Sequence, residues 1–338
     1  MSEAHTNVRS SIFGRGVVED LGSGLGRFLV TTMPVPWDLV SARLGGEPAA
    51  VVMADSMEIG TLERQLAEAP AADVVVAIGG GRAIDLGKYF AWRRGCRLVT
   101  IPTALTVDGF VTPAAGIRRG NRVEYVGETS PDPLVIDFDL LRTAPRELNV
   151  AGVGDLLSIH TATRDWEIAH RAGRDQHGFS EEPIRLARGI LARLDTLRGE
   201  IRDLTDRGLQ AIVESFMEVN KICLPAGHYR VEEGSEHFLF YELEERLGRP
   251  FIHGQVVGLG ICLMSRLQEN EPEWVCGFMQ ELGLDYHPRS LGVSRPVLEA
   301  SLRSLRDYVE RRGDWYTVIN ERDITDAWLE QALAGLRF

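Results

Sequence analysis

Residues 74–92 read VVVAIGGGRAIDLGKYFAW, an apolar run that breaks on Gly79, Gly80 and Gly81 and continues with helical spacing. A continuous stretch of mostly β-branched residues predicts a strand buried on both faces, and the segment behind it predicts a helix carrying Asp85 and Lys88. Strand, glycine turn and helix in that order form one crossover of a parallel sheet, and this unit decides the fold. Three glycines permit a ligand to approach the backbone closely. The start of the helix adds free N–H groups and a positive dipole end suited to a phosphate. A tight strand-to-helix turn has the same requirements, so the stretch by itself leaves both readings open. Two segments that look similar fail. Gly87-Lys88 is followed by Tyr89 and lies at the wrong distance from Gly81 for a G-x-x-x-x-G-K-[ST] loop. GSGLG at 22–26 has neither G-x-G-x-x-G spacing nor a strand directly before it.

Outward from this unit the first half of the chain alternates. Strand-like runs fall at Arg27–Thr32, Ala49–Ala54, Asp73–Gly79 and Arg97–Ile101, with helix-length segments at Trp37–Leu44, Met57–Ala69 and Arg82–Arg94. A loop, IPTALTVDGFVTP at 101–113, then leads to a hairpin over Ala115–Val126 and a last strand, LVIDF at 134–138. From Asn149 strand-like runs disappear and helical spacing takes over, as in Ile184, Leu186, Ile190, Leu191 and Leu194. The expected architecture is an α/β domain with a parallel sheet over residues 1–148, followed by an all-α domain over residues 149–338. Ligands of such sheets bind beyond the carboxyl ends of the strands, so the loops after Ile78 and Ile101 are the first candidates. A cleft between two domains is the ordinary place for an active site.

Composition removes several classes of function. The 338 residues are 44% hydrophobic and 25% charged, an ordinary globular balance that excludes fibre and disorder. The formal net charge of −12 argues against binding the phosphate backbone of nucleic acids. Apolar runs such as VVGLGICLM have the length of core elements, not of a membrane span, so no membrane insertion is expected. The leading MSEAHTNVRSS has no basic stretch followed by an apolar one, and a cytoplasmic location is expected. Cys96, Cys223, Cys262 and Cys276 are too few and too scattered for a disulfide framework. Lys88 and Lys221 are the only lysines, which singles out the lysine that follows the glycine turn.

A second set of candidates lies in the second half: Asp155 in AGVGDLLSIHTA, His237 in GSEHFLFYELEE and His253 in FIHGQVVGLG. Each has an ordinary explanation. Asp155 reads as an acid in the first turn of a helix, favoured by the dipole, and a histidine beside a glycine is often structural. His160, His170, His177 and His228 show how little a single histidine means. Taken together, one carboxylate and two imidazoles would make a three-ligand site with an open position, the arrangement of catalytic rather than structural zinc.

The motifs occur in a fixed order: the glycine triplet with Asp85 and Lys88, IPTALTVDGFVTP, APRELNVAGVGDLL with Asp165-Trp166, GSEH, then HGQVVGLG. In that order they resemble the glycerol-1-phosphate dehydrogenase branch of the iron-containing (group III) alcohol dehydrogenase and dehydroquinate synthase-like superfamily. The resemblance runs from about residue 27 to YTVIN at 316–320. It implies the same two-domain fold, with the dinucleotide bound by the α/β domain 1–148 and metal and substrate by the helical domain 149–338, a small-molecule substrate, NAD(H) or NADP(H) as cofactor, and a homodimer. It implies that Gly79, Gly80, Gly81, Asp85, Lys88, Thr103, Thr106 and Thr112 serve the cofactor. Asp108 would contact substrate and order the proton donor. Asp155, His237 and His253 would hold a metal, Zn²⁺ first, with Fe²⁺, Ni²⁺ and Mn²⁺ compatible with the donors. The reference reaction is reduction of dihydroxyacetone phosphate to sn-glycerol 1-phosphate, with Asp155 and Tyr241 in the catalytic set and Arg230 at the substrate.

The chain departs from that branch at two places. Where relatives acting on dihydroxyacetone phosphate usually place a second histidine, one helical turn after the first metal-binding histidine, this chain has Tyr241. The approach to the ligand reads YRVEEGSEH, which keeps a cation at Arg230 but adds Glu232 and Glu233. An acid that would select NAD is missing directly after RFLVTT, where Met33-Pro34-Val35-Pro36 precede Asp38. NADP(H) is therefore permitted, with Arg82 or Arg43 as partners for its extra phosphate. Two other readings stand beside the dehydrogenase: a sugar-phosphate cyclase or lyase that recycles bound NAD, and a non-catalytic nucleotide-binding relative.

Overall fold

The computed structural model describes residues 7–120 and 122–338, so residues 1–6, read above for a leader, and residue 121 in the hairpin lie outside the described residues. The chain divides into two compact units, the first ending at Asn149 and the second running Val150–Phe338.

In the first unit, β1 (Ser11–Gly14), β2 (Phe28–Thr32), β3 (Val51–Met53), β4 (Val74–Gly79), β5 (Arg97–Pro102) and β8 (Pro131–Asp137) form one sheet. Its order is β1-β8-β5-β4-β2-β3 and every pairing is parallel. The continuous apolar run of β4 is buried at every residue, as its sequence predicts. Helices α1 (Pro34–Val40), α2 (Ile59–Glu68) and α3 (Gly81–Arg94) form the crossovers, β6 (Ala115–Arg119) and β7 (Arg122–Val126) the hairpin. Two short helical segments complete the unit: α4 (Phe138–Leu141), capped by the Asp137 carboxylate, and the start of α5 (Arg146–Leu156).

Strand order reverses between β2 and β4. The chain steps outward from β2 to β3, returns to the other side of β2 as β4, and continues outward through β5 and β8. Beyond the carboxyl ends of β2 and β4 lies the crevice where open α/β sheets bind ligands, and the glycine triplet stands at its rim.

Three local expectations need correcting. β1, an edge strand of four residues paired with β8, has no apolar run to announce it in SIFG. Helix α1 begins at Pro34 rather than Trp37, because proline's fixed φ and missing N–H suit a first helical position. The last strand ends at Asp137, and Phe138 opens a helix.

The second unit is helical throughout: α6 (Ile159–Arg171), α7 (Glu181–Thr196), α8 (Arg198–Arg202), α9 (Asp206–Ala226), α10 (Ser235–Leu247), α11 (His253–Gln268), α12 (Pro272–Leu282), α13 (Pro288–Leu291), α14 (Arg295–Arg312), α15 (Val318–Glu321) and α16 (Asp326–Leu333). Helix α11 carries the run VVGLGICLM and is buried on all sides, so it is the central helix, wrapped by α6, α10 and α12. No helix among the described residues is long and apolar enough to cross a membrane.

Candidate active site

In the first unit the cofactor candidates gather around the end of β4. Gly79 has φ 145°, a conformation closed to side chains, and a Cβ there would stand 2.8 Å from the Cβ of Ala83. The turn therefore needs glycine, and it lets α3 start at Gly81 with first-turn N–H groups that have no intrahelical acceptor. The Thr103 amide donates to the Gly79 carbonyl at 3.0 Å, which ties the loop after β5 to this turn. The same loop is pinned from below by Asn149, a residue the sequence reading did not single out. Its Oδ1 accepts from the Leu105 amide at 3.0 Å while its Nδ2 donates to the Leu141 carbonyl at 2.7 Å. Thr106 and Asp108 are half-buried further along, and the Asp108 carbonyl accepts from Val111 and Thr112 to close a short helical turn.

Lys88 is 2% exposed and its ammonium is fully engaged. It lies 3.0 Å from Asp85 Oδ1 and donates to Thr112 Oγ1 at 3.2 Å and to the Ala114 carbonyl at 2.7 Å. Burial pushes the Asp85 carboxyl up, and the Lys88 charge opposes that shift. Lys88 thus braces α3 against the strand and loop that follow Thr112. Of the two arginines considered for a 2′-phosphate, Arg43 is turned toward Glu19 and the buried Asp137. Arg82 is exposed and donates to the carbonyls of Ala54 and Asp55, just past the end of β3.

In the second unit three helices bring three candidate ligands to one point. Asp155 Oδ1 lies 3.0 Å from His253 Nε2 and 3.3 Å from His237 Nε2, and the two imidazole nitrogens are 3.1 Å apart. Donors arranged tetrahedrally about a cation at ~2.1 Å would stand about 3.4 Å from one another, so the triangle is close to the size a metal requires. Asp155 is not in the first turn of a helix, as the sequence reading had it, but is the penultimate residue of α5. A carboxylate there meets the negative end of the dipole, so the ordinary explanation for it falls away. Burial opposes its charge, yet His253 and His237 facing it hold its carboxyl below the usual carboxylate range. An ionised carboxylate is the form that a metal ligand requires.

Two glycines make the convergence geometrically feasible. A Cβ on Gly254 would fall 1.7 Å from the Ala151 carbonyl oxygen, and one on Gly154 would fall 2.2 Å from the Gly254 carbonyl oxygen. The end of α5 and the start of α11 therefore touch backbone to backbone, and the residues next to this contact are Asp155 and His253. His237, in the first turn of α10, completes the set, and the Phe240 ring packs edge-on against His253 with centroids 4.5 Å apart.

One helical turn past His237, the Tyr241 hydroxyl donates to Glu233 Oε1 at 2.5 Å, and the Arg312 guanidinium lies over its ring at 5.1 Å. Arg230 is 1% exposed. Its Nη2 faces the Tyr316 carbonyl at 3.3 Å and its guanidinium lies 5.1 Å from the Trp315 ring, while Nη1 is buried without a hydrogen-bond partner among the described residues.

The parallel sheet with its glycine turn, the helical unit and the Asp-His-His triangle define a class, and comparison with known proteins agrees with it. Residues 40–145 match the family model described as iron-containing alcohol dehydrogenase. The crystal structure of a probable glycerol dehydrogenase from Sinorhizobium meliloti shares the fold, with a TM-score of 0.72 at 24% identity over 97% of this chain and 96% of that one. That of glycerol dehydrogenase from Schizosaccharomyces pombe gives 0.70 at 16% identity, over 97% and 88%. The chain is an enzyme with the dehydroquinate synthase-like fold, and over residues 40–145 it is similar to the iron-containing alcohol dehydrogenases. It is also similar to proteins named glycerol-1-phosphate dehydrogenase [NAD(P)+]. The one from Aeropyrum pernix is 28% identical over 94% of this chain and 93% of its own, and that from Hyperthermus butylicus is 28% identical over 92% and 90%.

Proposed function

We propose that the protein is a divalent-metal-dependent NAD(P)(H) oxidoreductase that reduces a small phosphorylated or polyhydroxylated ketone, with dihydroxyacetone phosphate to sn-glycerol 1-phosphate as the reference reaction. The observation that carries this reading is the convergence of Asp155, His237 and His253 from three helices on one point. The names of the relatives support the cofactor and the substrate class.

A bound cation, Zn²⁺ in this proposal, supplies Lewis-acid polarisation of the substrate carbonyl, and a reduced nicotinamide supplies hydride. The chain's own residues do the rest. Gly79, Gly80 and Gly81 leave the backbone open to the cofactor pyrophosphate at the start of α3, with Thr103, Thr106 and Thr112 on the adjoining loop. Asp85 faces the cofactor with its carboxylate held by Lys88. Asp108 orders the hydroxyl or water that returns a proton to the product oxygen. Tyr241 and Glu233 set the character of the substrate side. A hydroxyl already committed to a carboxylate offers an acceptor to substrate hydroxyls and repels a phosphate, and this favours a polyhydroxylated ketone over the phosphate ester. The enzyme is proposed to act as a homodimer, which sedimentation velocity tests.

The test is NADH and NADPH oxidation by the Zn²⁺-loaded protein with dihydroxyacetone phosphate beside dihydroxyacetone. Stoichiometric oxidation with either ketone supports the dehydrogenase and excludes a cyclase that recycles NAD. Turnover of the phosphate ester alone would make Tyr241 a tolerated variation. No oxidation with either of these or with larger polyhydroxylated ketones, despite bound metal and cofactor, would overturn the reading.

A further inference from the structure

His237 has two ring nitrogens, and only Nε2 faces Asp155 and His253. The other, Nδ1, lies 3.0 Å from Oε1 of Glu236, the residue directly before it. Glu236 is completely buried, yet no arginine or lysine contacts its carboxylate among the hydrogen bonds and ion pairs of the described residues. Its oxygens are instead met by neutral donors. Oε1 also accepts from the Gly234 amide at 2.6 Å, and Oε2 accepts from the Thr161 hydroxyl at 2.7 Å. A buried carboxylate is costly unless a charge answers it, and the titratable ring in contact with this one is that of His237.

The contact also fixes which form of the ring faces the triangle. A carboxylate has no proton to donate, so the Nδ1 of His237 must carry the hydrogen, and in the neutral ring Nε2 then holds a lone pair. That lone pair points into the Asp155–His253 triangle. One divalent cation in the triangle would be balanced by two carboxylates, Asp155 directly and Glu236 through the imidazole.

We propose that Glu236 is a positioning residue for the metal centre, fixing the tautomer and the ring orientation of His237 and strengthening it as a ligand, with Thr161 holding the carboxylate from behind. Outer partners of this kind typically change metal affinity 10–100-fold when lost. The competing explanation is that Glu236 is only an acid in the first turn of α10, placed there to answer the Gly234 amide and the helix dipole. The two differ in what they predict for metal binding. A helix-capping acid affects folding and leaves the affinity of the folded protein for metal unchanged.

This inference rests on the metal site of the proposed function, and its test separates the two. Zn²⁺ affinity of the full chain is measured by competition with a chromogenic chelator, and the visible spectrum of the Co²⁺-loaded protein reports ligand geometry. Melting of the metal-free form reports folding. Glu236→Gln keeps the size and an oxygen acceptor but removes the charge. It is expected to weaken Zn²⁺ binding about tenfold and to shift the Co²⁺ bands, with Glu236→Ala weaker still by about tenfold more. Thr161→Val, which leaves the carboxylate in place and removes its outer donor, is expected to weaken binding several-fold and serves if the Glu236 variants fail to fold. Zn²⁺ affinity and Co²⁺ bands unchanged in Glu236→Gln, or unchanged in Thr161→Val where the former does not fold, would overturn the inference while leaving the proposed function intact. A wild-type chain that binds no Zn²⁺ would overturn both.

Discussion

Replacing Gly254 by alanine tests how the ligand triangle is built. The added Cβ would lie 1.7 Å from the Ala151 carbonyl oxygen and 2.6 Å from the carbonyl carbon, both of them backbone atoms. Ordinary carbon-to-oxygen contacts begin near ~3.3 Å, so the start of α11 and the end of α5 would have to separate by about 1.6 Å. His253 and Asp155 sit next to that contact, and their ligand atoms are only 3.0 Å apart. Metal–ligand distances tolerate about 0.2 Å, so the displacement is several times larger than the site can absorb. Overpacking of this kind costs about 1–3 kcal/mol, which leaves room for a folded protein. Gly254→Ala is therefore expected to fold with a lowered urea midpoint and to lose at least the roughly 100-fold in Zn²⁺ affinity at the upper end of outer-partner effects. Gly277→Ala in α12, where a Cβ meets nothing within 4 Å, is the control and should bind metal as the wild type does. The helix-propensity gain of about 0.5–1 kcal/mol is common to both substitutions. Full Zn²⁺ affinity in a folded Gly254→Ala would refute the argument that backbone contact positions these ligands.

Three further outcomes follow from the same geometry. Lys88→Met should destabilise the protein by about 3–5 kcal/mol in urea unfolding, because it strands the Asp85 carboxylate. Lys88→Met with Asp85→Asn should recover part of that, and a single-variant loss below about 1 kcal/mol would contradict the bracing role. Glu233→Gln removes the negative charge that the Tyr241 hydroxyl meets at 2.5 Å. The ratio of kcat/KM for dihydroxyacetone phosphate over dihydroxyacetone should rise about tenfold, equivalent to ~1.4 kcal/mol, and an unchanged ratio would remove this pair from substrate selection. Burial holds the His160 imidazole below its ordinary value of 6.5, with its Nε2 donating to the Asn270 carbonyl at 2.7 Å. The unfolded chain therefore takes up a proton before the folded one, so stability is full above 6.5 and falls as pH drops toward the lower folded value. Urea midpoints at pH 7.5 and 5.5 should differ less in His160→Gln than in the wild type; an equal difference would refute this.

Much of the fold was legible because its signals are continuous. The apolar run of β4, the glycine turn and the alternation around them specify a parallel sheet without help from distant residues. β1 was invisible because a four-residue edge strand is defined by what it pairs with, not by its own sequence. The candidate ligands were nameable from residue type and order, but their convergence was not, since it depends on backbone contact at Gly154 and Gly254, glycines 100 residues apart. The placement of Asp155 was misread for a related reason: AGVGDLL gives no sign that the helix is about to end. Asn149 and Glu236 act through contacts with other side chains and backbone groups, and sequence spacing carries no trace of such partners. A motif-level signal existed only for Glu236, which directly precedes a candidate ligand in GSEH.

The measurement that bears most directly on the central claim is a Zn²⁺ titration of chelator-stripped protein, followed by NADH or NADPH oxidation with the preferred ketone and by deuterium transfer from the 4-deuterated cofactor. Turnover is expected to rise in proportion to bound metal and to level off at one equivalent per chain, with deuterium on the former carbonyl carbon, and to vanish in His253→Ala. Equal turnover in the stripped protein, or in His253→Ala, would contradict the account.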